Sequence, residues 1–146
     1  MWNQKKYAII FINFILTFVF MIGCSTSGSK TKIPEFVKVL QDTVEYDVEY
    51  REDRNVIRIT DYLSKDTIID AVSKDSVYKQ WVILRENALS LYNDVKNLSD
   101  SSNIKDVGYE IVIIDKESSK TDEEIPLLII DSTGVVFDMV EEAKNK

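Results

Sequence analysis

Between Val77 and Leu98, apolar residues return at alternating spacings of four and three: Val77, Trp81, Leu84, Ala88, Leu91, Val95 and Leu98. Tyr78, Val82, Leu89 and Tyr92 widen the stripe, and the spacing matches one face of an α-helix. The pattern predicts a helix of about 24 residues, capped by Asp75 or Ser76 and ending near Ser99 to Asn103. A coiled-coil seam would share this repeat, but barely more than about three heptads fit, which favours packing across the chain's own sheet. Thr67 to Val72 adds a helical turn or two before it, with Asp66 as cap.

The segment Val44 to Arg51 alternates instead with period two. Val44, Tyr46, Val48 and Tyr50 share one face; Glu45, Asp47, Glu49 and Arg51 share the other. Val56 to Tyr62 is rich in β-branched residues, and Glu52 to Asn55 between them is polar and turn-like. A turn centred on Asp53 and Arg54 sets Tyr50 opposite Ile57, Val48 opposite Ile59 and Glu49 opposite Arg58. That one register satisfies both faces and offers a Glu49 to Arg58 ion pair.

Tyr109 to Asp115 and Ile125 to Ile130 are apolar on both faces and are expected as central strands, with Pro126 at a tolerated first position. A charged loop, Lys116 to Glu124, separates them. After the Asp131-Ser132-Thr133-Gly134 turn, residues 135–145 suit either a closing strand over Val135 to Val140 or a helix running into Glu141 and Glu142. Ile33, Phe36, Val37 and Leu40 fall at helical spacing behind Pro34, predicting a short opening helix over one edge of the core. The expected fold is α+β: an antiparallel sheet of four to five strands in ββαββ order, with one long amphipathic helix on a face. The second face of the central strands then needs a cover, from the opening helix, a second copy or a partner.

The first two dozen residues follow another logic. Lys5 and Lys6 precede an uncharged apolar run, Tyr7 to Ile22, then Gly23 and the only cysteine, Cys24. A basic region, an apolar region and a small residue before a processing point are the parts of a secretory signal. With Met21-Ile22-Gly23-Cys24 in lipobox position, residues 1–24 resemble the signal peptides of bacterial lipoproteins, although the family usually has Leu where Met21 stands. The resemblance implies cleavage before Cys24, lipid attachment at Cys24 and display outside the cytoplasmic membrane. Two acyl chains would anchor stably where one binds marginally. An uncleaved anchor is the alternative: a run of about 16 residues spans about 24 Å, short of a hydrocarbon core of about 30 Å. Either way, the positive-inside rule places everything after Cys24 outside.

The implied organisation is a signal peptide over residues 1–23, a lipidated Cys24 and flexible tether over 24–33, and one extracytoplasmic domain over 34–146. Ser25 to Lys32 is small and polar, with a coil length of about 15 to 17 Å. The chain has a formal charge of −7 from 18 basic and 25 acidic residues. Cleavage after Gly23 removes Lys5 and Lys6 and leaves a still more acidic domain, a poor match for nucleic acid and repelled by anionic head groups. Residues from about 35 to 140 also resemble the ββαββ modules of small Gram-positive lipoproteins. That resemblance rests on element order, the Tyr-rich first hairpin and the closing Gly134 to Asp138 segment, and implies a fold and an address alone.

Candidate chemistry is sparse. With no histidine in the chain, a Ser-His-Asp triad, a histidine base and histidine-ligated zinc are excluded. The cysteine is assigned to lipid, and no P-loop, dinucleotide fingerprint or Gly-x-Ser-x-Gly elbow occurs. Carboxylates are the catalytic stock that is left: Glu45, Asp47 and Glu49 along one strand face, and Asp115 with Glu117. Same-face neighbours would stand about 7 Å apart, but an open strand face has no cleft to raise a pKa. Asp115, Glu117, Ser119, Thr121 and Glu123 resemble the start of an EF-hand loop, yet Lys120 and Pro126 occupy its glycine and glutamate positions. A weak cation site near Asp122, Glu123 and Glu124 is the residual metal reading. Tyr46, Tyr50, Tyr62, Tyr109 and Trp81 could line a sugar- or peptide-binding face, but residues at such spacings are more often core.

The expectation is therefore a non-enzymatic, lipid-anchored binding module with no catalytic residues, no cofactor and no metal. Its partners are the membrane, through lipid on Cys24, and a protein or envelope component. A carboxylate-dependent envelope hydrolase and a self-protection lipoprotein binding an extracellular peptide are the alternatives. Mass spectrometry of the N-terminus checks the anchor: Cys24 should begin the mature chain and carry lipid, with both features lost in Cys24→Ala. An unmodified Cys24 inside an intact N-terminus would overturn it.

Overall fold

The computed structural model of the chain describes residues 29–120 and 123–146. The apolar run Tyr7 to Ile22 and Cys24 lie outside these residues, as do Thr121 and Asp122. Helix α1 (Ser29–Thr43) leads into strands β1 (Asp47–Arg51) and β2 (Val56–Leu63), then helices α2 (Lys65–Ser73) and α3 (Asp75–Ser101). Strand β3 (Gly108–Asp115), a short 3₁₀ turn (Ser118–Lys120), β4 (Pro126–Asp131), β5 (Gly134–Asp138) and helix α4 (Met139–Lys144) complete the chain. The fold is α+β, with one five-stranded sheet in the order β1-β2-β3-β4-β5.

The first hairpin has the expected register, with Tyr50 opposite Ile57, Val48 opposite Ile59 and Glu49 opposite Arg58. Strand β1 is shorter than its alternation suggested. Val44 closes the last turn of α1, its N–H donating to the Leu40 carbonyl, so Glu45 and Tyr46 connect helix to strand. Asn55 takes a left-handed φ of 53° at the turn, a conformation asparagine tolerates better than most residues.

The sheet is mixed and not wholly antiparallel: β2 and β3 run parallel from Val56/Gly108 to Leu63/Asp115. Parallel neighbours need a crossover connection, and α2 followed by the 27-residue α3 supplies one. Asn55 fixes where it lands. Its carbonyl accepts from Gly108 N–H at 2.9 Å, its side-chain amide donates to the Asp106 carbonyl, and Tyr50 Oη donates to Asn55 Oδ1 at 2.7 Å.

Helix α3 buries Trp81, Ala88, Tyr92 and Val95 from the predicted stripe. These pack with Ile57, Ile59, Ile111, Ile113, Leu128 and Ile130 from the sheet. Opposite Ile113 and Ile114, β4 carries an extra residue, and this bulge lets the consecutive Leu127 and Leu128 both join the core. Caps differ from expectation by one or two residues: Ser64, not Asp66, caps α2, and α3 begins after Lys74 with no side-chain cap. Residues 135–145 hold both proposed elements, a strand and then a helix, divided at Asp138.

Helix α1 starts earlier than Pro34 implied, so Ser29 to Lys32, expected as tether, are helical. Ile33, Phe36, Val37 and Leu40 are all buried in the main core, and that anchorage carries the helix upstream past a proline within it. Gln41 Nε2 donates to the Val48 carbonyl at 2.7 Å, tying α1 to the edge strand.

Asp138 joins three elements. Oδ1 accepts from the N–H groups of Val140 and Glu141, capping α4, and from Trp81 Nε1 at 3.0 Å; Oδ2 accepts from Arg85 at 3.1 Å. Asp138→Ala removes a cap and strands a buried indole donor, an expected loss of about 2–4 kcal/mol in urea unfolding. Asp138→Asn retains an acceptor and should lose less than half as much.

Candidate functional site

Alternate residues of β1, β2 and β3 form the sheet face opposite the main core. Asp47, Glu49 and Arg51 stand beside Thr60, Arg58 and Val56, and β3 adds Glu110, Val112 and Ile114. Val112 and Ile114 are each 1% exposed yet do not belong to the main core cluster. Thr60 and Tyr62 flank them on β2, and Ile129 and Pro126 on β4. Helix α1 does not cover this face, since its apolar residues join the main core.

A charged residue within a central strand must find its counter-charge nearby, because burying an unpaired ion is prohibitive. Arg58, 8% exposed, meets this condition twice: Nε lies 2.7 Å from Glu110 Oε1 and a terminal nitrogen 2.8 Å from Glu124 Oε2. Desolvation pulls the Arg58 guanidinium down, but hydrogen bonds and charge from Glu124 and Glu110 outweigh it and hold it above the ordinary arginine value. Arg54 reaches the other oxygen of Glu110 at 3.0 Å. Arg51 stands 3.8 Å from Glu124 and 2.6 Å from Glu49. The result is a chain of alternating charge, Arg54, Glu110, Arg58, Glu124, Arg51 and Glu49. The expected Glu49 to Arg58 pair is absent: the two are register partners, but Arg58 turns to the more buried Glu110 and Glu49 takes Arg51.

Beside this network an open hollow of about 540 Å³ is lined by Gln41, Tyr46, Asp47, Val48, Glu49, Arg51, Thr60, Tyr62 and Glu124. Its carboxylates are engaged. The Asp47 carboxylate beside the Tyr62 hydroxyl, with some burial and nearby negative charge, holds the phenol above its ordinary value.

The structure thus brings Asp47 and Glu49 together in the hollow and leaves Glu45 outside the strand. Glu124, read from sequence only as part of a weak cation site, completes the wall with Thr60 and Gln41, which were not singled out; a lone Arg58 and Glu110 inside otherwise apolar strands were the available signal. The loop after β3 folds on itself. Asp115 Oδ1 accepts from Lys65 N–H, Ser118 Oγ donates to the Asp115 carbonyl, and Glu117 pairs with Lys120 at 2.9 Å. Among the described residues, no three potential metal ligands cluster. The aromatic residues share no face: Trp81 is buried against Asp138, Tyr109 meets Ser99, Tyr50 meets Asn55, and only Tyr46 and Tyr62 line the hollow.

No family model, curated protein or solved structure matches the chain. Among the described residues, no helix is long and apolar enough to cross a membrane.

Removing Glu110 leaves Arg58 buried with half its counter-charge. Glu110→Ala should therefore cost about 2–4 kcal/mol in urea unfolding, whereas loss of the exposed Arg54 should cost under about 1 kcal/mol. Replacing both partners, Arg58→Met with Glu110→Leu, should recover most of the deficit.

Proposed function

We propose that this chain is a non-enzymatic binding module, displayed outside a bacterial cytoplasmic membrane through lipid on Cys24, and that it takes a protein or envelope component in the hollow beside the first hairpin. The observation that supports recognition is that each carboxylate of the hollow already has a partner: Asp47 has Tyr62, Glu49 has Arg51, and Glu124 has Arg58 and Arg51. Such groups form a fixed polar template, whereas a general acid needs a carboxyl held protonated near neutral pH.

In-cell crosslinking with affinity recovery and mass spectrometry tests this reading on wild type and on Asp47→Asn with Tyr62→Phe. Both substitutions keep size and should keep the fold, checked by circular dichroism. A partner recovered with wild type and lost with the double variant is the expected result; undiminished recovery with the variant would move the site elsewhere.

A further inference from the structure

The distance between the proposed lipid and the folded domain is short. Helix α1 begins at Ser29, so only Ser25 to Gly28 separate it from Cys24. Even fully extended, the chain from Cys24 to Ser29 reaches about 18 Å at most. A domain of this size is about 35 Å across, so the leash is shorter than the body it holds. Helix α1 is no loose extension of that leash, because Ile33, Phe36, Val37 and Leu40 are 1–8% exposed and packed in the main core. Its far end carries Gln41, which lines the hollow. From Ser29 to Gln41 the helix rises about 18 Å.

Charge runs along the same axis. Lys30 and Lys32 fall in the first turn of α1, Glu35 and Lys38 follow as opposite charges in its middle, and Asp42, Glu45, Asp47 and Glu49 come at its end and beyond. Near an anionic bilayer each lysine gains about 1 kcal/mol within a Debye length of the surface, and each acid is repelled.

Resting on the lipid-anchor reading, we propose that α1 is a rigid stand-off: its basic first turns face the anionic bilayer, and it presents the hollow on the side away from the membrane. The ligand then arrives from the extracytoplasmic medium and not from the lipid surface.

Glu35 and Asp42 allow a direct test, because both are exposed and lie two turns apart on one face of α1. Their heights differ by about 10 Å. The full lipidated chain, carrying Glu35→Cys or Asp42→Cys with a fluorophore, is placed in vesicles of phosphatidylcholine and phosphatidylglycerol containing a headgroup spin-label quencher. The expected result is several-fold stronger quenching at position 35 than at 42, with the difference reduced by Lys30→Glu and Lys32→Glu together. Equal quenching at both positions, or stronger quenching at 42, would overturn the stand-off. Failure of the anchor itself is scored separately, as a chain without lipid on Cys24 that floats free of the vesicles, and it overturns the proposal with the reading beneath it.

Discussion

An arginine removed from water in the second strand dictates much of the sheet's polar side. Arg58 cannot be buried unless a carboxylate meets it, and the nearest backbone able to supply one is the neighbouring strand. The parallel register of β2 and β3 places Glu110 directly opposite. The remaining face of the guanidinium is met by Glu124, which brings the loop before β4 back across β2 toward β1 and closes one wall of the hollow. A slip of β3 by one residue against β2 would turn Glu110 into the apolar core and leave Arg58 without it. The ion pair therefore acts against misregistration at least as much as it adds stability.

The opposite face obeys a simpler rule. It is apolar where α3 crosses the central strands, and Asp138, a charged residue buried at its edge, is saturated by donors from α3 and α4. The two faces thus divide the work. One is closed by hydrophobic burial and a helix cap, and the other leaves ion-paired side chains at an open hollow.

The long helix, the hairpin register and the first four strands were legible because each carries a period or a two-faced constraint within a short stretch of chain. The mixed sheet was not, since the choice between parallel and antiparallel neighbours for β2 depends on where the α2–α3 crossover delivers the chain. Contacts such as Asn55 with Asp106 decide that, and they leave no periodic trace. Tyr46 misled for a related reason: the alternation from Val44 to Arg51 is genuine, but its first residues satisfy the last turn of α1 instead of a strand. The hollow was half legible. Asp47 and Glu49 stood out as acids on one strand face, whereas Glu124 joined them only through Arg58, a partner that spacing along the chain cannot reveal.

Only one of the two tryptophans, Trp81, falls within the described residues, and its indole N–H is held by the carboxylate that divides β5 from α4. The last strand and helix thus have a native optical gauge. Loosening of that closing segment would wet the indole while the first hairpin stayed intact, giving its emission a local meaning distinct from loss of the whole fold.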